Sequence, residues 1–189
     1  YDADTVEALC RWNNEPPPVY ARINRLAPDQ EALDRVMAET KDSLLGSDFP
    51  DFFQVTGAPD ADWIREGLLY VQDPSTSLAC RLLDPQPGEI VLDACAAPGG
   101  KTALLAALMH NEGRIVATDN SPPRLEQLRE NLQRLAVSNA EVRLADWNDT
   151  EDSAAATDLP AFDAILLDVP CSNTGVMRRR VDVRWRIQE

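Results

Sequence analysis

The segment Asp93–Thr102 constrains the fold of this chain more than any other part of the sequence. It follows the apolar run Ile90–Leu92 and leads into the helical pattern Thr102–Met109, so it predicts a strand, a glycine turn and a helix start. Gly99 and Gly100 permit positive φ angles and close backbone approach, while the first amides of the helix have no partners within it. In α/β proteins such a turn, at the carboxyl end of a strand, is where nucleotide-like ligands bind.

Strand and helix patterns alternate after the turn Asp84–Gly88. The predicted strands are Glu89–Asp93, Arg114–Thr118, Glu141–Leu144 and Ala164–Leu167, and the predicted helices are Lys101–His110 and Pro122–Ala136. The second helix has leucines at spacings of three and four, with Ser121 as a candidate N-cap. This alternation predicts a parallel sheet with crossover helices, the α/β class. Because only four such strands are present and the chain begins without Met, we expect a fragment of a longer protein.

A smaller α/β pattern precedes that turn. A helix is expected in the first dozen residues, and the elements that follow are the strands Tyr20–Leu26, Phe52–Thr56 and Leu68–Val71 and the helix Gln30–Glu39. We therefore predict two domains, residues 1–84 and residues 85–189. Trp12, Trp63 and Trp147 show no regular spacing and are expected to serve in packing.

Charge is distributed unevenly along the chain. The sequence carries 32 acidic and 18 basic side chains, a net charge of −14. Taken alone, that charge argues against nucleic-acid binding, because phosphate contacts demand a basic surface. Residues 177–189 are the exception, with 5 basic and 2 acidic side chains. A phosphate-bearing partner would have to lie there, and a solvated Arg-rich segment without a partner is the alternative.

Cysteine usage and hydropathy bound the setting of the protein. The four cysteines form no C-x-x-C pair and no zinc spacing, so we expect no metal site and a reduced, cytoplasmic environment. No apolar run approaches the roughly 18 residues of a membrane span, and we expect no membrane association.

Three kinds of ligand compete for the glycine turn. A P-loop requires a glycine five positions before Gly100, where this chain has Cys95, so a nucleotidase is disfavoured. A dinucleotide fingerprint requires G-x-G-x-x-G, which the turn does not supply, so a dehydrogenase is disfavoured.

Four segments instead resemble the NOL1/NOP2/Sun family of S-adenosylmethionine-dependent RNA (cytosine-5)-methyltransferases, and most of all the bacterial 16S ribosomal RNA enzymes. These segments are Tyr70–Ser77, Cys95–Thr102, Asp168–Gly175 and the Arg-rich Arg178–Trp185. The similarity runs from about Asn13 to the end of the chain. It implies a Rossmann-like class I methyltransferase fold, incomplete here, preceded by a small α/β domain resembling an RNA-recognition domain.

The resemblance also implies S-adenosylmethionine as cofactor. The residues expected to bind it are Cys95, Ala96, Ala97, Pro98, Gly99, Gly100, Lys101, Asp119, Asp146 and Asp168. Asp119 lies 19 residues after Gly100, near the roughly 20-residue spacing at which an acid reaches a ribose hydroxyl. Asp146 resembles the family residue beside the adenine ring. Lys101 is expected either to pair with a carboxylate or to contact the methionine end, and Cys95 to supply small packing volume.

In the family a cysteine thiolate adds to C6 of cytosine, and a second cysteine assists product release. Cys171 resembles the release cysteine, and the nucleophile is expected beyond Glu189. Asp168 is expected beside the target base, where it can accept a hydrogen bond from the cytosine amino group. The expected RNA contacts are Arg178, Arg179, Arg180 and Arg184. The resemblance favours ribosomal RNA as the partner, with a transfer-RNA methyltransferase or a non-catalytic RNA- or ribosome-binding module as alternatives.

Overall fold

The computed structural model describes residues 2–147 and 159–186. Contacts divide the chain into two compact units, Tyr1–Pro18 together with Pro170–Glu189, and Val19–Val169. The domain boundary predicted after residue 84 falls within the second unit, and it stays a prediction.

The helices in chain order are α1 (Ala3–Asn14), α2 (Gln30–Thr40), α3 (Ala61–Arg65), α4 (Ser77–Leu83), α5 (Gly100–Leu108), α6 (Pro122–Arg134) and α7 (Val183–Arg186). The strands are β1 (Val19–Ile23), β2 (Phe52–Val55), β3 (Leu69–Val71), β4 (Ile90–Asp93), β5 (Arg114–Asp119), β6 (Ala140–Leu144) and β7 (Ala164–Leu166). Short 3-10 turns lie at Lys41–Ser43, Pro74–Thr76 and Thr174–Val176. Within the described ranges, none of the helices has the length and apolar character needed to cross a membrane.

Strands β1, β2 and β3 form an antiparallel sheet in the order β2-β1-β3. Helix α2 packs on it, because its buried face, which includes Leu33 and Val36, joins Ile23 and Phe53 in one apolar cluster. The Asp29 carboxylate caps this helix by accepting a hydrogen bond from the amide of Ala32 at 2.9 Å. The small α/β pattern read from the sequence is therefore present.

Strands β4 to β7 form a parallel sheet in the order β6-β5-β4-β7. The chain moves from β4 outward through β5 to β6 and then returns to the opposite side of β4 as β7. The strand order thus reverses between β4 and β7, and in open α/β sheets ligands bind beyond the carboxyl ends of strands at such a point. The parallel sheet and the α/β class predicted from the sequence are confirmed.

Buried polar side chains connect the two sheets. Asn24, just after β1, donates its amide hydrogens to the carbonyl oxygens of Gly67 at 2.8 Å and Leu135 at 3.0 Å. Arg134, near the end of α6, donates to the carbonyl oxygen of Ile64 at 2.6 Å. The bonds from Asn24 to Leu135 and from Arg134 to Ile64 join the end of α6 to residues beside the antiparallel sheet, so they hold one sheet against the other.

Ser121 stands at the N-cap position of α6, as expected, but its side chain does not cap the helix. The Ser121 side chain makes no capping hydrogen bond at the start of α6, and its backbone amide instead donates to the Asp119 carboxylate at 3.1 Å. Pro122 and Pro123 occupy the first two helical positions and have no amide hydrogens, so fewer donors at the helix start need an acceptor.

Candidate active site

The loop between β4 and α5 is held by hydrogen bonds from several elements. The amide of Ala96 donates to the carbonyl of Thr118 on β5 at 2.8 Å. From α6, Arg124 donates to the carbonyl of Ala97 at 2.6 Å, and Asn131 donates to the carbonyl of Pro98 at 2.9 Å. The backbone of the loop is therefore fixed by its neighbours before any ligand arrives.

The two glycines of this loop are required by close contacts. Gly99 has a φ of 106°, and a Cβ added there would lie 2.7 Å from Cδ1 of Leu128. A Cβ on Gly100 would lie 2.7 Å from Cε1 of Tyr70. The first position needs glycine for its backbone conformation, and the second because a side chain of β3 occupies the space.

A cavity of about 250 Å³ opens beside the loop, at the carboxyl ends of β4 and β7. It is lined by Tyr70, Val71, Gln72, Asp73, Thr76, Asp93, Cys95, Ala96, Ala97, Pro98, Gly100, Lys101 and Asp168. Most of the predicted cofactor residues therefore meet in one place, joined by residues from the end of β3 and the turn after it. Gly99, Asp119 and Asp146 are not among the residues that line it.

Asp93 is a buried acid in this cavity that sequence reasoning did not assign to the site. Its Oδ2 accepts a hydrogen bond from the Thr102 hydroxyl at 2.7 Å, while its Oδ1 is buried without a hydrogen-bond partner in the described structure. Burial raises the pKa of Asp93 to about 6, against the lowering effects of Thr102 and Lys101. The sequence feature that could have indicated this acid is its position at the end of the apolar strand β4.

An ion pair between Lys101 and Asp168 connects the loop after β4 to the segment after β7. The Lys101 ammonium lies 2.5 Å from Oδ2 of Asp168, so the lysine pairs with a carboxylate. The Lys101 side chain is 19% exposed and that of Asp168 is 55% exposed. The pair therefore sits at the rim, where water and a ligand can reach the aspartate.

Asp119 lies at the end of β5, next to the loop. Its Oδ1 accepts the Ser121 amide, and its buried Oδ2 is 3.2 Å from Nη1 of Arg124, an ion-pair distance without hydrogen-bond alignment. Asp146 follows β6 and is exposed. The ribose and adenine roles predicted for these two acids stay predictions.

Trp147, which was expected to serve only in packing, also contacts the site. Its indole Nε1 donates to the carbonyl of Ala94 and to the Thr118 hydroxyl, both at 3.0 Å. This side chain therefore ties the chain after β6 to the loop after β4. In that loop, burial raises the pKa of the Cys95 thiol and disfavours its thiolate form, and the packing role expected for this residue stays a prediction.

In the other unit, Cys171 is an exposed free thiol. The backbone amide of Asn173 donates to its Sγ at 3.4 Å. The segment therefore offers an exposed sulfur that is held by a hydrogen bond from its own backbone.

Arg178 differs from the other arginines predicted to contact RNA. Its guanidinium lies over the Trp12 ring at 4.5 Å and donates to the carbonyl oxygens of Glu15 and Pro16, both at 3.1 Å. With its side chain 17% exposed, Arg178 anchors the Arg-rich segment to the chain at the end of α1. Arg179 and Arg180 are exposed, and the Arg184 side chain lies outside the described part of the structure.

The chain is similar to several proteins of known family. Residues 80–189 match the family described as 16S rRNA methyltransferase RsmB/F. Ribosomal RNA small subunit methyltransferase B of Yersinia enterocolitica is 38% identical over 189 residues, covering 96% of this chain and 42% of the relative. A probable methyltransferase of the same name from Bacillus subtilis is 34% identical, covering 98% and 41%. A methyltransferase homologue of solved structure from Pyrococcus horikoshii has a TM-score of 0.69 at 33% identity, covering 91% of this chain and 56% of that protein.

This chain spans 42% and 41% of the lengths of those two curated relatives. The family match takes in the loop after β4, the acids Asp93 and Asp119, and the segment after β7. The candidate site lies inside the match except for the residues that β3 and the following turn contribute. Because the match extends over more than half of the sequence and over most of the site, the chain belongs to the 16S rRNA methyltransferase RsmB/F family.

Proposed function

We propose that this chain binds S-adenosylmethionine and takes part in methylating C5 of cytosine in ribosomal RNA through a covalent cysteine adduct. The observation that carries the proposal is the cavity at the reversal of strand order, where the loop after β4, Asp93 and the Lys101–Asp168 pair meet. The names of the relatives from Yersinia enterocolitica and Bacillus subtilis favour a small-subunit ribosomal RNA substrate.

The residues present fit this cofactor. Asp93 offers a buried oxygen without a hydrogen-bond partner in the described structure, which suits a cationic or hydroxyl-bearing ligand. Loop residues 95–98 line the cavity, so a ligand bound in it would contact this loop. Asp119 keeps its predicted ribose role, since its Oδ2 likewise makes no hydrogen bond in the described residues. When S-adenosylmethionine is bound in this cavity, it supplies the electrophilic methyl group.

The chain's own side chains would manage the base and its protons. Asp168 is exposed enough to accept a hydrogen bond from the cytosine amino group, while Lys101 holds its other side. Cys171 would act after methylation, when the C5 proton leaves and the thiolate adduct breaks. The nucleophilic cysteine is expected beyond Glu189. A cytosine within folded RNA would have to be presented from a loop or flipped out.

The setting of the other charged and thiol groups supports this reading. Exposed Arg179 and Arg180 follow the cysteine motif and would face RNA phosphates. The four cysteines are all free thiols, as a cytoplasmic protein would have them.

A trapping experiment in the full-length protein tests the proposed chemistry. Cys171→Ala should still attack and methylate RNA with ordinary cytosine but release it slowly, so a covalent protein–RNA band should accumulate on denaturing gels. The physical reason is that attack needs only an aligned thiolate, whereas release needs the second thiol near C5. Cys10→Ala, which removes another exposed free thiol, is the matched control and should leave the band at the wild-type level.

Loss of the adduct in Cys171→Ala would make Cys171 the nucleophile and reverse the assignment. Wild-type protein that forms no adduct and methylates no RNA would instead favour the non-catalytic binding module. Supplying unmodified small-subunit ribosomal RNA and transfer RNA side by side separates the two substrate classes. Calorimetry with S-adenosylhomocysteine should show Asp119→Ala weakening binding by roughly 1–3 kcal/mol, the range for hydrogen bonds to a charged group.

A further inference from the structure

Arg22 is a buried arginine in the antiparallel sheet. It lies on β1 between Ala21 and Ile23, and all three residues are buried. Because successive side chains of a strand point to opposite faces, Arg22 lies on the face opposite to the apolar cluster of Ala21 and Ile23. Both faces of this sheet are therefore covered at β1, and an arginine occupies the face turned away from that cluster.

The guanidinium of Arg22 bridges two parts of the cavity wall. Its Nε donates to Oε1 of Gln72 at 2.9 Å, and its Nη2 donates to the carbonyl oxygen of Gly100 at 3.4 Å. Gln72 and Gly100 both line the cavity beside the loop after β4. One side chain thus connects the antiparallel sheet to the first residue of α5.

Arg22 carries a charge that its surroundings do not neutralise by pairing. Within the described residues its guanidinium forms no ion pair with a carboxylate, and burial lowers its pKa to about 10. It therefore remains protonated at neutral pH. A buried charge is costly unless hydrogen bonds compensate it. The compensation here comes from the side chain of Gln72 and the carbonyl of Gly100.

A second, independent contact lies at the same place. A Cβ on Gly100 would come within 2.7 Å of Cε1 of Tyr70 and 3.3 Å of Nε2 of Gln72. Tyr70 pairs with Arg22 across β1 and β3. The end of β3 is thus pressed against the helix start, and a shift of the sheet would move the loop.

We infer that Arg22 is a positioning residue for cofactor binding, which acts through Gln72 and the carbonyl of Gly100 to hold the antiparallel sheet as a wall of the cavity. The inference rests on the proposed function. It gives the sheet a role in holding the cofactor loop, beside the RNA contact that the sequence resemblance implies.

The test uses the full-length protein and S-adenosylhomocysteine as the probe. Arg22→Met removes the donors, while Arg22→Lys keeps the charge but cannot reach two acceptors with a planar fork. Asn24→Ala is the matched control, because Asn24 also connects the two sheets but bonds to Gly67 and Leu135, which do not line the cavity. We expect all three variants to lower the melting temperature. Only the Arg22 variants should raise the dissociation constant, by about 10-fold in Arg22→Met and less in Arg22→Lys, the range for a lost charged hydrogen bond.

Further readouts separate positioning from general stability. Amide exchange of the peptide covering residues 96–104 should speed up in the Arg22 variants and stay at the wild-type rate in Asn24→Ala. In methylation assays the KM for S-adenosylmethionine should rise while the KM for RNA stays unchanged. Equal losses of affinity in Arg22→Met and Asn24→Ala, or a change confined to the KM for RNA, would overturn the inference.

Failure of both Arg22 variants to fold would also overturn the inference, by showing a purely structural role. If the wild-type protein does not bind S-adenosylhomocysteine, the proposed function fails. The positioning role is tested independently by amide exchange, and an unchanged exchange rate in Arg22→Lys rejects it.

Discussion

Two segments follow neighbouring parallel strands, and they differ in how firmly they are held. The loop after β4 is largely buried and receives hydrogen bonds from β5 and α6. The segment after β7 exposes Leu167, Val169 and Cys171. A segment held by the fold loses little entropy when a ligand binds, whereas an exposed one must be ordered by its ligand. Substitutions in the first segment should therefore act on stability and cofactor affinity, and those in the second on the substrate.

The largest expected effect is a difference in the free energy of unfolding between alanine substitutions at Gly99, in the first segment, and at Gly175, in the second. Gly99→Ala should lower the free energy of unfolding by about 3 kcal/mol, because it places a side chain at positive φ and close to Leu128. Gly175→Ala is the matched change in the exposed segment, where an added Cβ meets nothing within 4 Å. It should stay within about 0.5 kcal/mol of wild type. Urea unfolding of both variants measures the difference, and equal losses would abolish the distinction between the segments.

The next effect concerns the pH dependence of stability that arises from the buried carboxyl of Asp93. Its folded pKa of about 6 lies above the usual aspartate value of 3.8, so its contribution to stability is full below the unfolded pKa and is lost as pH rises through about 6. Asp93→Asn removes this loss and should raise the free energy of unfolding at pH 8 by about 3 kcal/mol, with little change at pH 4.

The same Asp93→Asn variant should bind S-adenosylhomocysteine more weakly than wild type, since the neutral amide replaces the unpartnered carboxylate oxygen. Unfolding curves at pH 4 and pH 8, with calorimetry, provide both measurements. A variant less stable than wild type at pH 8 would show that the buried charge is compensated in a way the contacts do not reveal.

The smallest effect divides the arginines within the second segment. Arg178→Gln should cost about 1 kcal/mol of stability, because it removes the contact with Trp12 and two hydrogen bonds to backbone carbonyls. Arg180→Gln should leave stability unchanged and reduce the slope of log affinity for RNA against log salt by about 1. Thermal melts and salt titrations check the two expectations. If the slope of log affinity against log salt falls equally in both variants, Arg178 also contacts RNA.

The strands and helices were predictable because their patterns are local. Helix α6 begins at Pro122 as expected, and its leucines at spacings of three and four are buried. Helix α4 was not predicted, because Ser77–Leu83 is short and carries only a weak apolar pattern. In the site, the glycine turn with Lys101 could be read from the sequence, since the turn depends on neighbouring residues.

The rest of the site depends on distant contacts. Arg22 reaches Gly100 across 78 residues of sequence, and Arg178 reaches Glu15 across 163. No local pattern distinguishes such arginines from those on the surface, so one was missed and the other was assigned to RNA. Asp93 was passed over because its importance arises from burial, which a strand-ending acid does not display in sequence.

The indole of Trp147 has an optical consequence. Its Nε1 is hydrogen-bonded to Ala94, at the start of the loop after β4, and to Thr118 on β5. Indole emission shifts in wavelength and intensity when the hydrogen bond or the water around the ring changes. The protein therefore carries an intrinsic fluorophore joined to the backbone that borders the candidate cavity, so a ligand that displaces this loop would change the fluorescence of an unlabelled chain.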